Sequence, residues 1–248
     1  MIFTYYILII SLGAIVGSFA NVVAHRLNSG RTILTGRSRC DSCAEELSPV
    51  MLVPVFSFVL LRGRCAMCGS KIGTSHVLAE VVLGAFFGAA LYLHGISFAL
   101  LLSLIFLTLL TSIVIYDLRH TIIPNLLVYP LILIGGLMAY MSGDLYAAIV
   151  AACTAAFFAA IWLFSGGRAM GFGDAKLVFA LALFVGYPIA ITGFMLSFWI
   201  GAVISVALLV FYRKGRTMSN EVPFAPYLAL GFLCAYFLQL NLLPSVFF

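Results

Sequence analysis

Long apolar runs dictate what this chain can become. Predominantly apolar stretches of about membrane-spanning length occur at roughly 4–23, 77–94, 97–116, 124–141, 145–164, 189–212 and 224–243. A hydrocarbon core of about 30 Å leaves backbone polar groups no water, so such runs must close their own hydrogen bonds as helices. A shorter run, about 175–187, ends at the turn signal Gly186-Tyr187-Pro188. Joining it to the next run would carry one helix through that turn, so the spacing predicts a break. The expectation is an all-α integral membrane protein of about eight transmembrane helices, the sixth short. Composition agrees: 64% of residues are hydrophobic, 8% are charged, and mean hydropathy is +1.20.

The charges sort themselves by face. Eight spans place four loops on one side, at about 24–76, 117–123, 165–176 and 213–223. These hold Arg26, Arg31, Arg37, Arg39, Arg62, Arg64, Lys71, Arg119, Arg168, Lys176, Arg213, Lys214 and Arg216, which is every Lys and Arg of the chain. The opposite loops show only His94 and Asp144. The positive-inside rule then predicts a cytoplasmic position for the basic loops, with both termini outside. The net charge of +5 reads as topology and headgroup contact, not nucleic-acid binding. The first run lacks a basic leader and a small-residue cleavage site, and is expected to be retained as a span.

Carboxylates are scarce, eight in 248 residues, and ionisable groups at membrane segments are usually kept for function. Asp117 ends the third span and Asp174 opens the sixth within Gly171-Phe172-Gly173-Asp174. The topology brings both to the cytoplasmic face. Gly171 and Gly173 are expected to allow close backbone approach and positive φ beside the carboxylate. Two carboxylates sharing one proton can activate water and polarise a carbonyl together. By helix position alone, Asp174 near an N-terminus favours the anion and Asp117 near a C-terminus favours the acid. A solvated helix-end charge is the bland alternative for each.

Cys40-Asp41-Ser42-Cys43 and Cys65-Ala66-Met67-Cys68 form two C-x2-C knuckles separated by 21 residues. That layout predicts one tetrahedral, structural zinc held by Cys40, Cys43, Cys65 and Cys68. A reducing cytoplasmic loop disfavours disulfides between them. Between the knuckles, Val50 to Leu61 is apolar, too short to span and interrupted by Pro54. It is expected to lie against the membrane face or the helix bundle as a small hairpin or apolar turn. Gly13-x-x-x-Gly17 and Gly84-x-x-x-Gly88 suit close helix crossings. Cys153 and Cys234 read as packing residues, and His120 as interfacial. No G-x-S-x-G, H-E-x-x-H, P-loop or Rossmann pattern is present. The expected division is a first helix at 1–23, a four-cysteine cytoplasmic loop at 24–76 and a seven-helix membrane domain at 77–248.

These residues resemble the type IV prepilin peptidases, the bifunctional leader peptidase/N-methyltransferases of type IV pili and type II secretion. The resemblance runs nearly the full chain. It includes Gly17-Ser18-Phe19-Ala20-Asn21-Val22-Val23 with Arg26, both knuckles, and Leu61-Arg62-Gly63-Arg64-Cys65. It continues through Asp117-Leu118, Ile123-Pro124-Asn125, Gly171 to Leu177, and Pro223-Phe224-Ala225-Pro226-Tyr227-Leu228-Ala229-Leu230-Gly231. It implies catalytic aspartates at Asp117 and Asp174, supported by Gly171, Gly173 and Lys176. It implies cleavage after a glycine of a basic prepilin or pseudopilin leader at the inner face. Methylation of the new amino terminus from S-adenosylmethionine would follow. Asn21, Arg26, Arg62 and Glu80 are candidates for substrate or methyl-donor contacts. A presenilin-like protease shares Tyr116-Asp117 and Gly-x-Gly-Asp, but has no call for the zinc loop. A proton-coupled transporter would hold its acids near the midplane on broken helices. A non-catalytic, zinc-anchored assembly factor would tolerate loss of both aspartates.

Overall fold

The computed structural model describes residues 2–28, 32, 38–40, 42–168, 170–211 and 223–242. Arg31, Arg37, Asp41, Arg213, Lys214 and Arg216 lie outside the described residues. Among the described residues the regular structure is helical: α1 (Ile2–Arg26), α2 (Phe56–Leu60), α3 (Thr74–His94), α4 (Phe98–His120), α5 (Asn125–Ser142), α6 (Leu145–Ser165), α7 (Phe172–Val185), α8 (Ile189–Phe211) and α9 (Ala225–Phe237). Six of them, α1, α3, α4, α5, α6 and α8, are long and apolar enough to cross a membrane. The protein is a multi-pass membrane protein. The chain divides into two compact units, residues 1–112 and 113–248, with the boundary inside α4.

In the first unit, α1 packs along α3, and the glycines explain how closely. A Cβ built on Gly13 would lie 2.8 Å from the Cα of Gly84, and one on Gly17 would lie 2.8 Å from the Cα of Glu80. Gly88 meets the side chain of Ile10. Small residues on both partners let the backbones touch, which is the attraction available between helices when lipid is as apolar as leucine. The stretch between the knuckles forms a one-turn 3-10 helix, Pro49–Leu52, and then α2. It is not a hairpin. Pro49 fits the first turn of a short helix, where its missing N–H leaves no bond unmade.

The second unit is built around α7. This helix has only 14 residues, about 21 Å at 1.5 Å each, and it packs against α5, α6, α8 and α9. Ten of its residues are buried, so it is apolar nearly all round. The expected short sixth helix is observed, ending where Gly186 takes φ +79. Gly135 of α5 makes the close crossing: a Cβ there would sit 2.7 Å from the carbonyl oxygen of Ala180. At the far end Asp144 caps α6 by accepting from the Ala147 N–H at 3.0 Å, while its other oxygen accepts from the Tyr187 N–H at 2.7 Å. One carboxylate therefore ties the α5–α6 turn to the α7–α8 turn. α9 nests on α8 through Gly193, which faces Phe232, and Gly231, which leaves room only for Ser197. It ends at Phe237, earlier than the apolar run to 243 suggests, because Gln239 turns the chain with φ +51.

Candidate active site and metal centre

Asp117 occupies the last turn of α4, and Asp174 the first turn of α7. Both side chains are buried, 4% and 8% exposed respectively, and the two carboxylates are near enough to interact electrostatically. Fifty-seven positions of sequence separate them, so α5 and α6 serve as the connection that returns the chain to the same end of this unit. The Ala225 N–H at the start of α9 donates to Asp117 Oδ2 at 3.1 Å. Asp174 stands at the N-terminus of its own helix and Asp117 faces the N-terminus of another. Asp117, still in the last turn of α4, thus also meets the positive end of α9, which narrows the helix-end asymmetry expected from sequence.

The glycines act differently from expectation. Gly171 is the residue before α7, with φ −76 and ψ 147, and Gly173 lies within the helix. Neither adopts positive φ. Gly173 instead provides close approach: a Cβ there would meet Cβ of Ile123 at 2.9 Å. The missing side chain lets the Ile123-Pro124-Asn125 segment lie against the first turn of α7, beside Asp174. Lys176 completes that contact. Its Nζ donates to Asn125 Oδ1 at 2.8 Å and to the Tyr129 hydroxyl at 3.4 Å, and lies 5.1 Å from the centre of the Tyr129 ring. The contacts of Asn125 and Ala225 join residues 51 and 108 positions apart, beyond any local pattern. Next to the site, the Tyr116 and His120 rings lie 4.4 Å apart on one face of α4.

The four cysteines form the second centre. Their Sγ atoms all lie within 4.8 Å of one another, and Cys40 and Cys68 are 3.9 Å apart. A tetrahedral zinc with bonds of about 2.3 Å requires sulfurs about 3.8 Å apart, so this donor set fits the ion. The two knuckles repeat one hydrogen-bond pattern at an offset of 25 residues. Cys40 N–H donates to Glu45 O, Ala44 to Cys40 and Leu47 to Ser38; Cys65 donates to Ser70, Gly69 to Cys65 and Ile72 to Gly63. Single antiparallel bridges, Arg39 with Glu46 and Arg64 with Lys71, close each turn. Ala44 and Gly69 hold equivalent places at φ +57 and +69. Backbone N–H groups of Cys43 and Ser42 facing Cys40 bring its thiol down to about 6.

A large cavity lies in the same unit as the knuckles, about 980 Å³ in volume. Asn21, Arg26 and Glu80 line it; Arg62 does not, and points outward from the turn after α2 with φ +51. Asn21 is buried, and its Nδ2 donates to the carbonyls of Gly17 at 3.2 Å and His76 at 3.4 Å. Arg26 donates to Thr32 O at 3.1 Å. Glu80 Oε2 accepts from the Val55 N–H at 2.8 Å, which fastens the loop between the knuckles to α3. Cys153 is exposed on α6 and Cys234 half-buried on α9, so only the second packs inward.

Comparison with known proteins gives two family matches along the chain. Residues 11–94 match the Bacterial Peptidase A24 N-terminal domain, and residues 104–206 match the Type IV leader peptidase family. The chain is 30% identical to a prepilin leader peptidase/N-methyltransferase of Bacillus subtilis, with 90% of each chain covered. A protein of the same name from Pseudomonas aeruginosa is 28% identical, covering 90% of this chain and 86% of its own length. One from Burkholderia pseudomallei is 31% identical, covering 90% and 82%. No solved structure matches. Identity at this level, held over nearly the whole length and joined to two matched domains, makes this chain a member of the type IV leader peptidase family.

Proposed function

We propose that the protein is a membrane aspartic endopeptidase that removes the basic leader of type IV prepilins or pseudopilins after a glycine, and then methylates the new amino terminus. The observation that carries the peptidase reading is the pair of buried, interacting carboxylates of Asp117 and Asp174. Two buried carboxylates that repel one another in this way would hold one proton between them. The ionised member takes a proton from water, whose oxygen attacks the scissile carbonyl carbon. The protonated member gives its proton to the carbonyl oxygen. As the tetrahedral intermediate collapses and the carbon–nitrogen bond breaks, the departing amine takes the proton held by one carboxyl and a gem-diol hydroxyl gives its proton to the other, so the pair stays singly protonated. The Ala225 N–H fixes Asp117, and Lys176 with Gly173 fixes the backbone beside Asp174.

The basic loops face the cytoplasm in this reading, with both termini outside, and α7 and α9 complete eight crossings. A short α7 would thin the bilayer or start below its surface, bringing Asp174 level with the helix of a membrane-embedded prepilin. Zinc fits Cys40, Cys43, Cys65 and Cys68; with four protein ligands it organises the loop and leaves no position for water. S-adenosylmethionine would supply an electrophilic methyl group on sulfonium sulfur; its transfer to the nitrogen lone pair of the new amino terminus would leave the thioether S-adenosylhomocysteine, with the amine's extra proton passing to solvent. The test is cleavage of a purified prepilin by wild-type protein, Asp117→Asn and Asp174→Asn in liposomes, read by mass spectrometry. Loss of leader removal in both variants, with fold and zinc content kept, is the expected result. Unchanged cleavage in either variant would sink the aspartic mechanism.

A further inference from the structure

We infer that the segment between the knuckles, residues 49–61, inserts its outer face into the near leaflet of the bilayer, with Arg62 and Arg64 on anionic phospholipid headgroups. Pro49 to Leu61 holds one polar side chain, that of Ser57. Ser57, with Phe58 and Leu61, turns inward and lines the cavity of the first unit. The opposite face of α2 carries Phe56, Val59 and Leu60, spaced i, i+3 and i+4. These are 58%, 67% and 61% exposed, and Val50 and Val53 just before them are exposed too. A group of uncovered apolar side chains outside the spanning helices marks a surface made for contact.

Depth identifies the contact. Val55, immediately before α2, donates its N–H to Glu80 Oε2 at 2.8 Å. Glu80 lies four residues past His76, the last polar residue before the apolar run of α3, or about 6 Å along the helix axis. α2 therefore starts level with apolar helix surface, where Leu78 and Val81 of α3 are also exposed. An interfacial helix buries its apolar face about 5–10 Å into the boundary between headgroups and acyl chains, which is the depth this contact sets. The same bond explains why a carboxylate is kept there. Val55 kinks the chain with φ +61, and irregular backbone at that depth needs a protein acceptor in place of water. Glu80 is that acceptor. Directly after the apolar turn, Arg62 and Arg64 are exposed, and such cations beside an inserted apolar face favour anionic lipid. They also decide against a prepilin as the occupant, because its basic leader would be repelled by the same two arginines.

The experiment uses full-length wild-type protein in liposomes of phosphatidylcholine and phosphatidylglycerol, the latter carrying a diazirine in its acyl chain. Irradiation, digestion and mass spectrometry then map the residues that touch lipid. The expected result is adducts at Phe56, Val59 or Leu60, as at Ile15, which is exposed on α1, and none at Ala44 or Glu45 in the first knuckle. Labelling of Ile15 with residues 49–61 left bare overturns the inference, and that measurement needs no variant to fold. In a variant carrying Arg62→Gln and Arg64→Gln, labelling of 49–61 relative to Ile15 should fall by about fivefold or more, with zinc content unchanged. Undiminished labelling overturns the headgroup contact. Excess prepilin that abolishes the label gives the surface to the substrate's apolar helix. Label that appears only when the protein is diluted in lipid gives it to a second copy of the chain. Either result overturns the inference, whereas prepilin cleaved without disturbing the label supports it.

Discussion

Asp117 and Asp174 were visible in the sequence because carboxylates are expensive beside apolar helices, and charge sidedness alone brought them to one face. Their surroundings were not visible. The Ala225 N–H on Asp117 and Ile123 against Gly173 join segments far apart in the chain, and no local pattern encodes such pairings. Replacing either aspartate by Asn should lower leader removal by about a thousandfold or more, since a dyad loses both the acid and the base role at once. The wild-type pH–rate profile should show two macroscopic ionisations belonging to the pair; a profile with one ionisation or none between about pH 3 and 9 would remove the shared proton. A Gly173→Ala variant should lose activity while keeping Asp174, because its new methyl group would push Ile123 away. In the metal loop, Ala44 holds the left-handed conformation that Gly69 takes in the other knuckle. Ala44→Gly should therefore stabilise the protein by up to about 1 kcal/mol, read as a rise in melting temperature with zinc content unchanged.

At the scale of elements, hydropathy located the helices well and their ends poorly. Apolar runs mark where helices must form, whereas caps, left-handed turns and tertiary contacts decide where they stop. Asp117 shows the difference: α4 continues through it to His120, so the acid projects from a helix and not from the loop after it. α9 errs the other way and stops short of its apolar run. The glycine pairs on α1 and α3 were legible as a spacing, but only the fold shows that they face each other. Gly13→Leu would drive a side chain into the α3 backbone, now 2.8 Å from where its Cβ would stand. The cost should be about 1–3 kcal/mol or more, seen as a lower melting temperature. Ile15→Leu, on an exposed part of the same helix, should change little.

For the whole molecule, the proposed topology, in which all thirteen basic residues share one face, predicts a sidedness that labelling can check. Single cysteines at Asn28 and Arg168, in a background without the native thiols outside the knuckles, should react with an impermeant maleimide only from the cytoplasmic side. Cysteines at Gly95 and Gly143 should react only from the other. Reaction of all four from one side would overturn the proposed eight-crossing topology. Chelating zinc should open residues 38–73 to proteolysis, since so small a unit has little apolar core of its own.

The repeat of one bonding pattern at an offset of 25 residues has a consequence for how the loop tolerates change. Each knuckle is a self-contained jaw whose shape its own backbone sets, and the two converge where their four thiols lie together. They should be interchangeable: grafting residues 63–72 over 38–47 would give a clasp that still closes. A single inserted residue within either jaw would spoil it, whereas insertions between them, where α2 lies, would merely lengthen the strap.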